Sequence, residues 1–241
     1  MKILVTGVKG QLGYDVVRVL NDRNIDCRGV DIEDFDLTNR DAVIDYIQHY
    51  QPTSVIHCAA FTAVDKAEEL RELCYAVNVD GTAHVAEACR QMDIPMMYIS
   101  TDYVFSGEGD DAFEVDSPKA PGGYYGLTKS LGEDKVTQTL SKYFIVRISW
   151  VFGLNGNNFV KTMIRLGKER AQLTVVNDQI GSPTYTADLA LLLCDMIVTE
   201  KYGTYHATNE DICSWYDFAS AIMQEAGLAC KILPITSEEY Q

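Results

Sequence analysis

The sequence of 241 residues lacks the features that define several large protein classes. Basic residues are few, with 20 Lys and Arg against 35 Asp and Glu, and a net charge of −15 disfavours binding to nucleic acid or anionic membranes. No apolar run reaches the ~18 residues of a membrane-spanning helix. The seven cysteines are odd in number and never form C-x-x-C, which argues against a disulfide framework and a zinc site. We therefore expect reduced thiols in a cytoplasmic protein, and we assign no metal site.

The first 150 residues alternate between short β-branched runs and segments of helical period. The predicted strands are Ile3–Thr6, Cys27–Val30, Ser54–Cys58, Met96–Ser100 and Phe144–Ile148. The predicted helices are Gln11–Asn21, Arg40–Tyr50, Leu70–Gln91 and Tyr125–Leu140. This order predicts βαβ units and an α/β fold with a doubly wound, mostly parallel sheet.

After Val151 the pattern changes, and a polar, glycine-rich loop at 153–158 predicts a domain edge. Helical segments are predicted at 159–169, 187–198 and 215–226, and weak strands at 173–176, 204–207 and 231–233. We expect a nucleotide-binding domain at 1–150 and a smaller substrate-binding part at 151–241. The strand near 203–208 is a candidate to return to the first sheet.

Glycines at 7, 10 and 13 follow the first predicted strand and open a helix. Such a turn allows positive φ, close approach of a pyrophosphate and close helix packing, while free N–H groups at the helix start bind the anion. The sequence therefore predicts a Rossmann-like dinucleotide site. Asp31 ends the second strand, where a carboxylate accepts hydrogen bonds from ribose hydroxyls and repels a 2′-phosphate. This favours NADH slightly over NADPH.

Tyr125 and Lys129 lie one helical turn apart, which places both side chains on one face. A nearby ammonium lowers the pKa of a tyrosine, and such a tyrosine can exchange a proton with a carbonyl oxygen that gains or loses a hydride. Thr101 follows the fourth strand, and ligands of open parallel sheets bind beyond the carboxyl ends of strands. We expect its hydroxyl to hydrogen-bond the same oxygen.

With these residues in view, the sequence resembles the extended short-chain dehydrogenase/reductases, and within them the dTDP-4-dehydrorhamnose reductase family. The matching stretches are Thr6–Gly13, Ala59–Glu68, Val77–Asn78, Ser100–Phe105, Tyr125–Lys129, Ser149–Gly153 and Val176–Thr184. The resemblance implies transfer of a hydride from NAD(P)H to C4 of a nucleotide-linked 4-keto-6-deoxyhexose, with Tyr125 as the proton donor.

The resemblance and the motifs together give three sets of candidate residues. The catalytic candidates are Thr101, Tyr125 and Lys129. The cofactor candidates are Gly7, Gly10, Gln11, Leu12, Gly13, Asp31, Asp36, Leu37, Ala59, Ala60, Thr62, Tyr125 and Lys129. The substrate candidates are Val64, Thr101, Tyr103 and Trp150.

Two alternatives stay open. A related 4-epimerase retains its cofactor, whereas a 4,6-dehydratase is disfavoured because Tyr103 stands where elimination needs a glutamate. A non-catalytic subunit similar to the methionine adenosyltransferase β-subunit is the other alternative, although the intact catalytic set disfavours it. Members of the family normally continue beyond the position of Gln241, so we expect a truncated or incompletely walled sugar site. The hexose, its nucleotide, the stereochemistry at C4 and the oligomeric state, including a homodimer, stay open.

Overall fold

The structure is a computed structural model that describes residues 1–109 and 111–240, so that Asp110 and Gln241, the latter in the predicted C-terminal part, lie outside it. The strands are β1 (Lys2–Thr6), β2 (Asp26–Val30), β3 (Ser54–His57), β4 (Met96–Thr101), β5 (Tyr143–Ile148), β6 (Val151–Phe152), β7 (Gln172–Val176), β8 (Ile180–Gly181), β9 (Thr184–Tyr185), β10 (Gly203–His206), β11 (Cys213–Ser214) and β12 (Lys231–Ile235). The helices are α1 (Gln11–Asp22), α2 (Arg40–Tyr50), α3 (Val64–Glu69), α4 (Arg71–Tyr75), α5 (Thr82–Met92), α6 (Tyr124–Thr139), α7 (Phe159–Glu169), α8 (Thr186–Met196) and α9 (Trp215–Glu225).

Six strands form the central sheet in the order β10-β5-β4-β3-β1-β2, and all neighbours in it are parallel. Successive side chains of a strand point to opposite faces. Ile3 and Val5 therefore join one core cluster, with side chains of α1 and α8. Leu4 joins a second cluster, with side chains of α2, α5 and α6. Helices cover both faces, and the predicted doubly wound α/β fold is confirmed.

The single helix predicted at 70–91 is wrong in one respect, because a π-helical turn at Ala76–Gly81 separates α4 from α5. Asn78 lies within this turn, and its buried amide accepts from the Phe61 N–H at 2.8 Å and donates to the Phe61 carbonyl at 3.1 Å. It also donates to Thr128 Oγ1 at 3.0 Å. Single π turns inside helices often occur at functional sites. This one ties the loop after β3 to α6.

The residues after β5 contribute to two different cores. β7 pairs in parallel with β12, and both pack with α7 and α9 around a small core that contains Met163, Leu173 and Met223. α8 packs on α1, and β10 pairs with β5 at the edge of the central sheet. We propose that the nucleotide-binding unit comprises residues 1–150 together with α8 and β10. No helix in the described ranges is both long enough and apolar enough to span a membrane.

Candidate active site

A cleft of about 550 Å³ opens at the carboxyl ends of β1, β3, β4 and β5. It brings together most of the sequence-predicted residues. These are Gly7, Gly10, Gln11, Leu12, Gly13, Asp31, Ala59, Ala60, Thr62, Val64, Thr101, Tyr103, Tyr125, Lys129 and Trp150. Asp36 and Leu37 line an adjoining pocket of about 230 Å³, which shares Gly7, Asp31 and Ala59 with the cleft. All the candidates therefore lie along one continuous surface.

The glycine turn after β1 is shaped by close backbone contacts. Gly7 has a φ of +72°, and a Cβ atom there would lie 2.6 Å from the Ala59 nitrogen. A Cβ atom at Gly13 would lie 2.4 Å from the Gly7 carbonyl oxygen. Gly10 precedes α1 without a side-chain cap, so the first N–H groups of the helix are available to an anion. The turn thus fits the pyrophosphate of a dinucleotide.

Asp31, directly after β2, holds this turn through a hydrogen bond. Its Oδ2 accepts from the Lys9 N–H at 2.9 Å, and the Lys9 ammonium pairs with Glu33. A carboxylate held at the rim, between the cleft and the adjoining pocket, fits the ribose hydroxyls of an adenosine.

Tyr125 stands in the first turn of α6, and the structure explains how this helix begins directly after Gly122 and Gly123. Gly123 provides no side-chain cap, but Glu68 of α3 accepts from the Tyr124 N–H at 2.7 Å. The Tyr125 ring lies edge-on to Tyr103, with 5.7 Å between the ring centroids. The start of α6 is therefore capped from another helix, and Tyr125 faces the cleft.

The electrostatics of Tyr125 differ from the expectation. Burial raises the pKa of Tyr125 above its ordinary value, and the nearby Asp102 adds to the rise, while a hydrogen bond with Thr101 opposes it. Thr101 Oγ1 in turn donates to Asp102 Oδ1 at 2.8 Å. The tyrosine therefore holds its proton firmly, and no lowering of its pKa by an ammonium is seen.

Lys129 lies one helical turn after Tyr125 on α6. Its side chain is buried, and Nζ donates to the Ile99 carbonyl at 2.8 Å and lies 4.1 Å from the centroid of the Tyr98 ring. Burial lowers the pKa of Lys129 to about 7, and the carboxylate of Glu133 opposes this effect. Burial thus disfavours the charged form of both residues, which raises the pKa of Tyr125 and lowers that of Lys129.

Trp150 forms a wall of the cleft in a constrained conformation. It has a φ of +47° and stacks on Trp215 with 3.6 Å between the ring centroids. A Cβ atom at Gly181 would lie 2.5 Å from the Trp150 ring. The indole thus packs closely against both α9 and β8. Val64, at the first position of α3, and Tyr103 are both partly exposed at the same cleft.

Comparison with known proteins assigns the chain to one protein family. The family model described as the RmlD substrate binding domain matches residues 1–241. The dTDP-4-dehydrorhamnose reductase of Aggregatibacter actinomycetemcomitans is 42% identical over 239 residues, which cover 96% of this chain and 81% of that protein. The chain belongs to the dTDP-4-dehydrorhamnose reductase family. Another relative, the spore coat polysaccharide biosynthesis protein SpsK of Bacillus subtilis, is 41% identical over 239 residues, covering 99% and 84% of the two chains.

Solved structures agree with this family assignment. The crystal structure of dTDP-4-dehydrorhamnose reductase from Bacillus anthracis in complex with NADP matches with a TM-score of 0.97 and 45% identity, covering 100% of this chain and 86% of that one. The UDP-glucose 4-epimerase of Thermus thermophilus, in complex with NAD, matches with a TM-score of 0.84 at 21% identity, which shows a shared fold alone. The predicted family and fold class are confirmed.

Two features of this family member were not predicted from its sequence. The polar loop after β6 lies over the glycine turn, where Asn155 donates to the carbonyls of Lys9 and Gly10 at 2.8 and 3.0 Å. A buried ion pair between Glu133 and Arg147 lies beneath the cleft. The sequence places Glu133 one helical turn after Lys129, but it carries no signal for the pairing of Glu133 with Arg147. Within the described ranges, no cluster of three or more His, Cys, Asp or Glu is placed to hold a metal.

Proposed function

We propose that this protein reduces the 4-keto group of a nucleotide-linked 4-keto-6-deoxyhexose, dTDP-4-dehydrorhamnose, with a nicotinamide dinucleotide as the hydride source. The single observation that carries the proposal is the convergence of Thr101, Tyr125 and Lys129 in one cleft with the glycine turn. The names of the relatives support the substrate class, since the similar proteins of A. actinomycetemcomitans and B. anthracis are dTDP-4-dehydrorhamnose reductases.

In this proposal the reduced nicotinamide, when bound, supplies a hydride to C4. The Tyr125 hydroxyl donates its proton to the C4 oxygen, which completes the conversion of the ketone to an alcohol. Burial raises the pKa of Tyr125, so the tyrosine holds its proton before the reaction. Thr101 orients the Tyr125 hydroxyl and the substrate oxygen. The Lys129 ammonium stabilises the negative charge that develops on the C4 oxygen and the Tyr125 oxygen.

The remaining cleft residues divide between the two ligands. Gly7, Gly10 and Gly13 hold the pyrophosphate at the start of α1, and Asp36 with Leu37 borders the adenine in the adjoining pocket. The other cofactor contacts are Gln11, Leu12, Asp31, Ala59, Ala60 and Thr62. The sugar contacts are Val64, Tyr103 and Trp150.

We further propose a modest preference for NADH over NADPH. The Asp31 carboxylate lies where it accepts from ribose hydroxyls and repels a 2′-phosphate, while Lys9 beside it is already paired with Glu33. The B. anthracis relative binds NADP, so we expect a small ratio rather than exclusion. Comparison of kcat/KM for the two cofactors tests this, and a higher kcat/KM with NADPH would contradict it.

The test of the main proposal is the oxidation of NADH, followed by its near-ultraviolet absorbance. Absorbance should fall only when a dTDP-4-keto-6-deoxyhexose is added to the cofactor-free protein. The Tyr125→Phe variant should lose about 10²–10⁴-fold in kcat, because a positioned acid contributes about that much, while its affinity for NADH changes little. Tyr124→Phe is the matched control, since Tyr124 packs on Arg71 and lies outside the cleft-lining set.

Two outcomes would contradict the proposal. Full activity in Tyr125→Phe would remove the tyrosine from its role as proton donor. Binding of NADH by the wild-type protein without any turnover of the sugar nucleotide would instead favour a non-catalytic subunit that uses the dinucleotide for regulation.

A further inference from the structure

Beneath the cleft lies a buried polar network that the proposed chemistry does not use. Glu133 is 2% exposed, and its Oε1 accepts from Ser100 Oγ at 2.6 Å and from Arg147 Nε at 2.9 Å. Its Oε2 accepts from Arg147 Nη2 at 2.9 Å, and Lys119 Nζ lies 3.6 Å from the same oxygen. A buried ion pair is costly to form, so its presence at this place calls for a reason beyond stability.

The network is continuous with the catalytic residues through the end of β4. Lys129 holds the Ile99 carbonyl, and Glu133, one turn later on α6, holds the hydroxyl of the next residue, Ser100. The residue after Ser100 is Thr101. Lys129 and Glu133 of α6 therefore hold Ile99 and Ser100 of β4 in place, and Thr101, the next residue, faces the cleft.

We propose that Glu133 is a positioning residue for the reduction, which with Arg147 fixes Ser100 and thereby Thr101, and whose carboxylate keeps Lys129 in its ammonium form. This inference rests on the proposed function of the cleft. The contacts within 3.0 Å between Glu133, Ser100 and Arg147 carry the positioning half of it.

The electrostatic half follows from the surroundings of Lys129. The titratable and charged groups packed around it are Tyr125 and Glu133 of α6, His57 and Cys58 from β3 and the loop after it, Cys74 of α4, Tyr98 of β4, Asp102 after β4, and Arg147 of β5 with Lys119 beyond Glu133. Of these groups only Glu133 and Asp102 are carboxylates, and the effect of Asp102 falls on Tyr125. Glu133, one helical turn after Lys129 on the same face of α6, is thus the carboxylate that opposes the loss of a proton from Lys129.

The two partners of the ion pair should have opposite effects on the pH profile. Activity requires the ammonium, so kcat declines as pH rises through the pKa of Lys129, which burial sets at about 7. Glu133→Gln removes an anion and should move this alkaline decline to lower pH by about one unit. Arg147→Gln removes a cation and should move it to higher pH. The double variant removes one charge of each sign, so its net charge equals that of the wild type. Its alkaline decline in kcat should therefore return towards the wild-type pH.

This opposition separates an electrostatic role from a structural one. Loss of a structural contact reduces the folded fraction in each variant, which thermal unfolding measures, and gives no shift of opposite sign. Declines that stay at the wild-type pH, or that move in the same direction in both single variants, would overturn the inference. If Glu133→Gln fails to fold, Arg147→Gln still decides, because Glu133 keeps its contacts with Ser100 and Lys119.

A second measurement is independent of turnover. The side-chain ¹³Cε resonance of Lys129, assigned by its absence in Lys129→Met, should titrate at lower pH in Glu133→Gln and at higher pH in Arg147→Gln. Wild-type protein that lacks activity would contradict the proposed function, and this titration would still support or overturn the charge effect of Glu133.

Ser100→Ala tests the positioning half, and it should lower kcat about tenfold without a shift of the Lys129 titration, because an active-site displacement of ~1 Å costs up to ~10²-fold. A kcat equal to wild type would refute it.

Discussion

Gly13 tests how closely the cofactor site depends on backbone packing. It is the third residue of α1, and a Cβ atom there would lie 2.4 Å from the Gly7 carbonyl oxygen, 2.8 Å from the Gly7 carbonyl carbon and 3.1 Å from the Val8 Cα. All three obstacles are backbone atoms, so no side-chain rotation relieves them. In Gly13→Ala the helix and the turn must separate by roughly 1 Å to restore ordinary contact distances.

Two opposing effects set the magnitude. Overpacking of this kind costs about 1–3 kcal/mol. Replacement of a helical glycine by alanine returns up to about 1 kcal/mol. The clash dominates, and we expect a net loss of about 1–2 kcal/mol in the free energy of unfolding. At about 2–4 °C per kcal/mol for a chain of this size, Tm should fall by about 2–8 °C.

The same displacement should weaken the cofactor, because Gly7 belongs to the turn that faces the pyrophosphate. A cost of about 1.4 kcal/mol to restore the turn on binding corresponds to about a tenfold higher Kd for NADH. Calorimetry and NADH fluorescence measure the two effects. Gly10→Ala is the control for Tm, since its Cβ would lie 3.2 Å from the same oxygen and requires only a slight shift. A Tm and a Kd equal to wild type in Gly13→Ala would refute this reasoning.

Two further predictions concern the core and the sugar wall. Burial lowers the pKa of His57 to about 3, so below about pH 6.5 the unfolded chain binds one more proton than the folded one. Stability should therefore fall with pH between about 6.5 and 3, at up to about 1.4 kcal/mol per pH unit from this residue, and urea unfolding at several pH values should show a smaller slope in His57→Gln. Equal slopes in the two proteins would contradict this. Gly181→Ala should push the Trp150 ring and raise KM for the sugar nucleotide about tenfold, with an unchanged Kd for NADH in the same assays, whereas an unchanged KM would remove Trp150 from the sugar wall.

The central fold was predictable because its signals are local. Each strand of the first half is a short run that contains Val or Ile, and the predicted Ile3–Thr6 is observed as Lys2–Thr6. The helix predicted at 70–91 failed at Asn78, since the π turn there serves partners at Phe61 and Thr128 that are distant in sequence. Periodicity reports one face of a helix and carries no information on such contacts.

The sequence predicted the location of the candidate site but not the charge state of its residues. Motifs located the residues of the cleft, and the structure brings them together, while their roles stay predictions. The charge state was not predictable, because it depends on burial. From spacing alone, Lys129 next to Tyr125 implied a lowered tyrosine pKa, but the desolvated Lys129 has its own pKa lowered instead. Glu133 and Arg147 lie 14 residues apart on a helix and a strand, so only the tertiary structure shows their pairing.

The position of β10 affects how this chain is made. β10 completes the sheet beside β5, and α8 covers α1, although both follow a stretch that belongs to the smaller core. During synthesis β5 emerges some 55 residues before β10, its neighbour at the edge of the sheet. Until β10 is made, β5 presents an unpaired edge, and unpaired edges promote aggregation. A cut in the loop at 153–158 would separate α1 and β5 from the elements that cover them. Production of the first 150 residues alone should therefore yield an aggregating fragment rather than an isolated dinucleotide-binding domain.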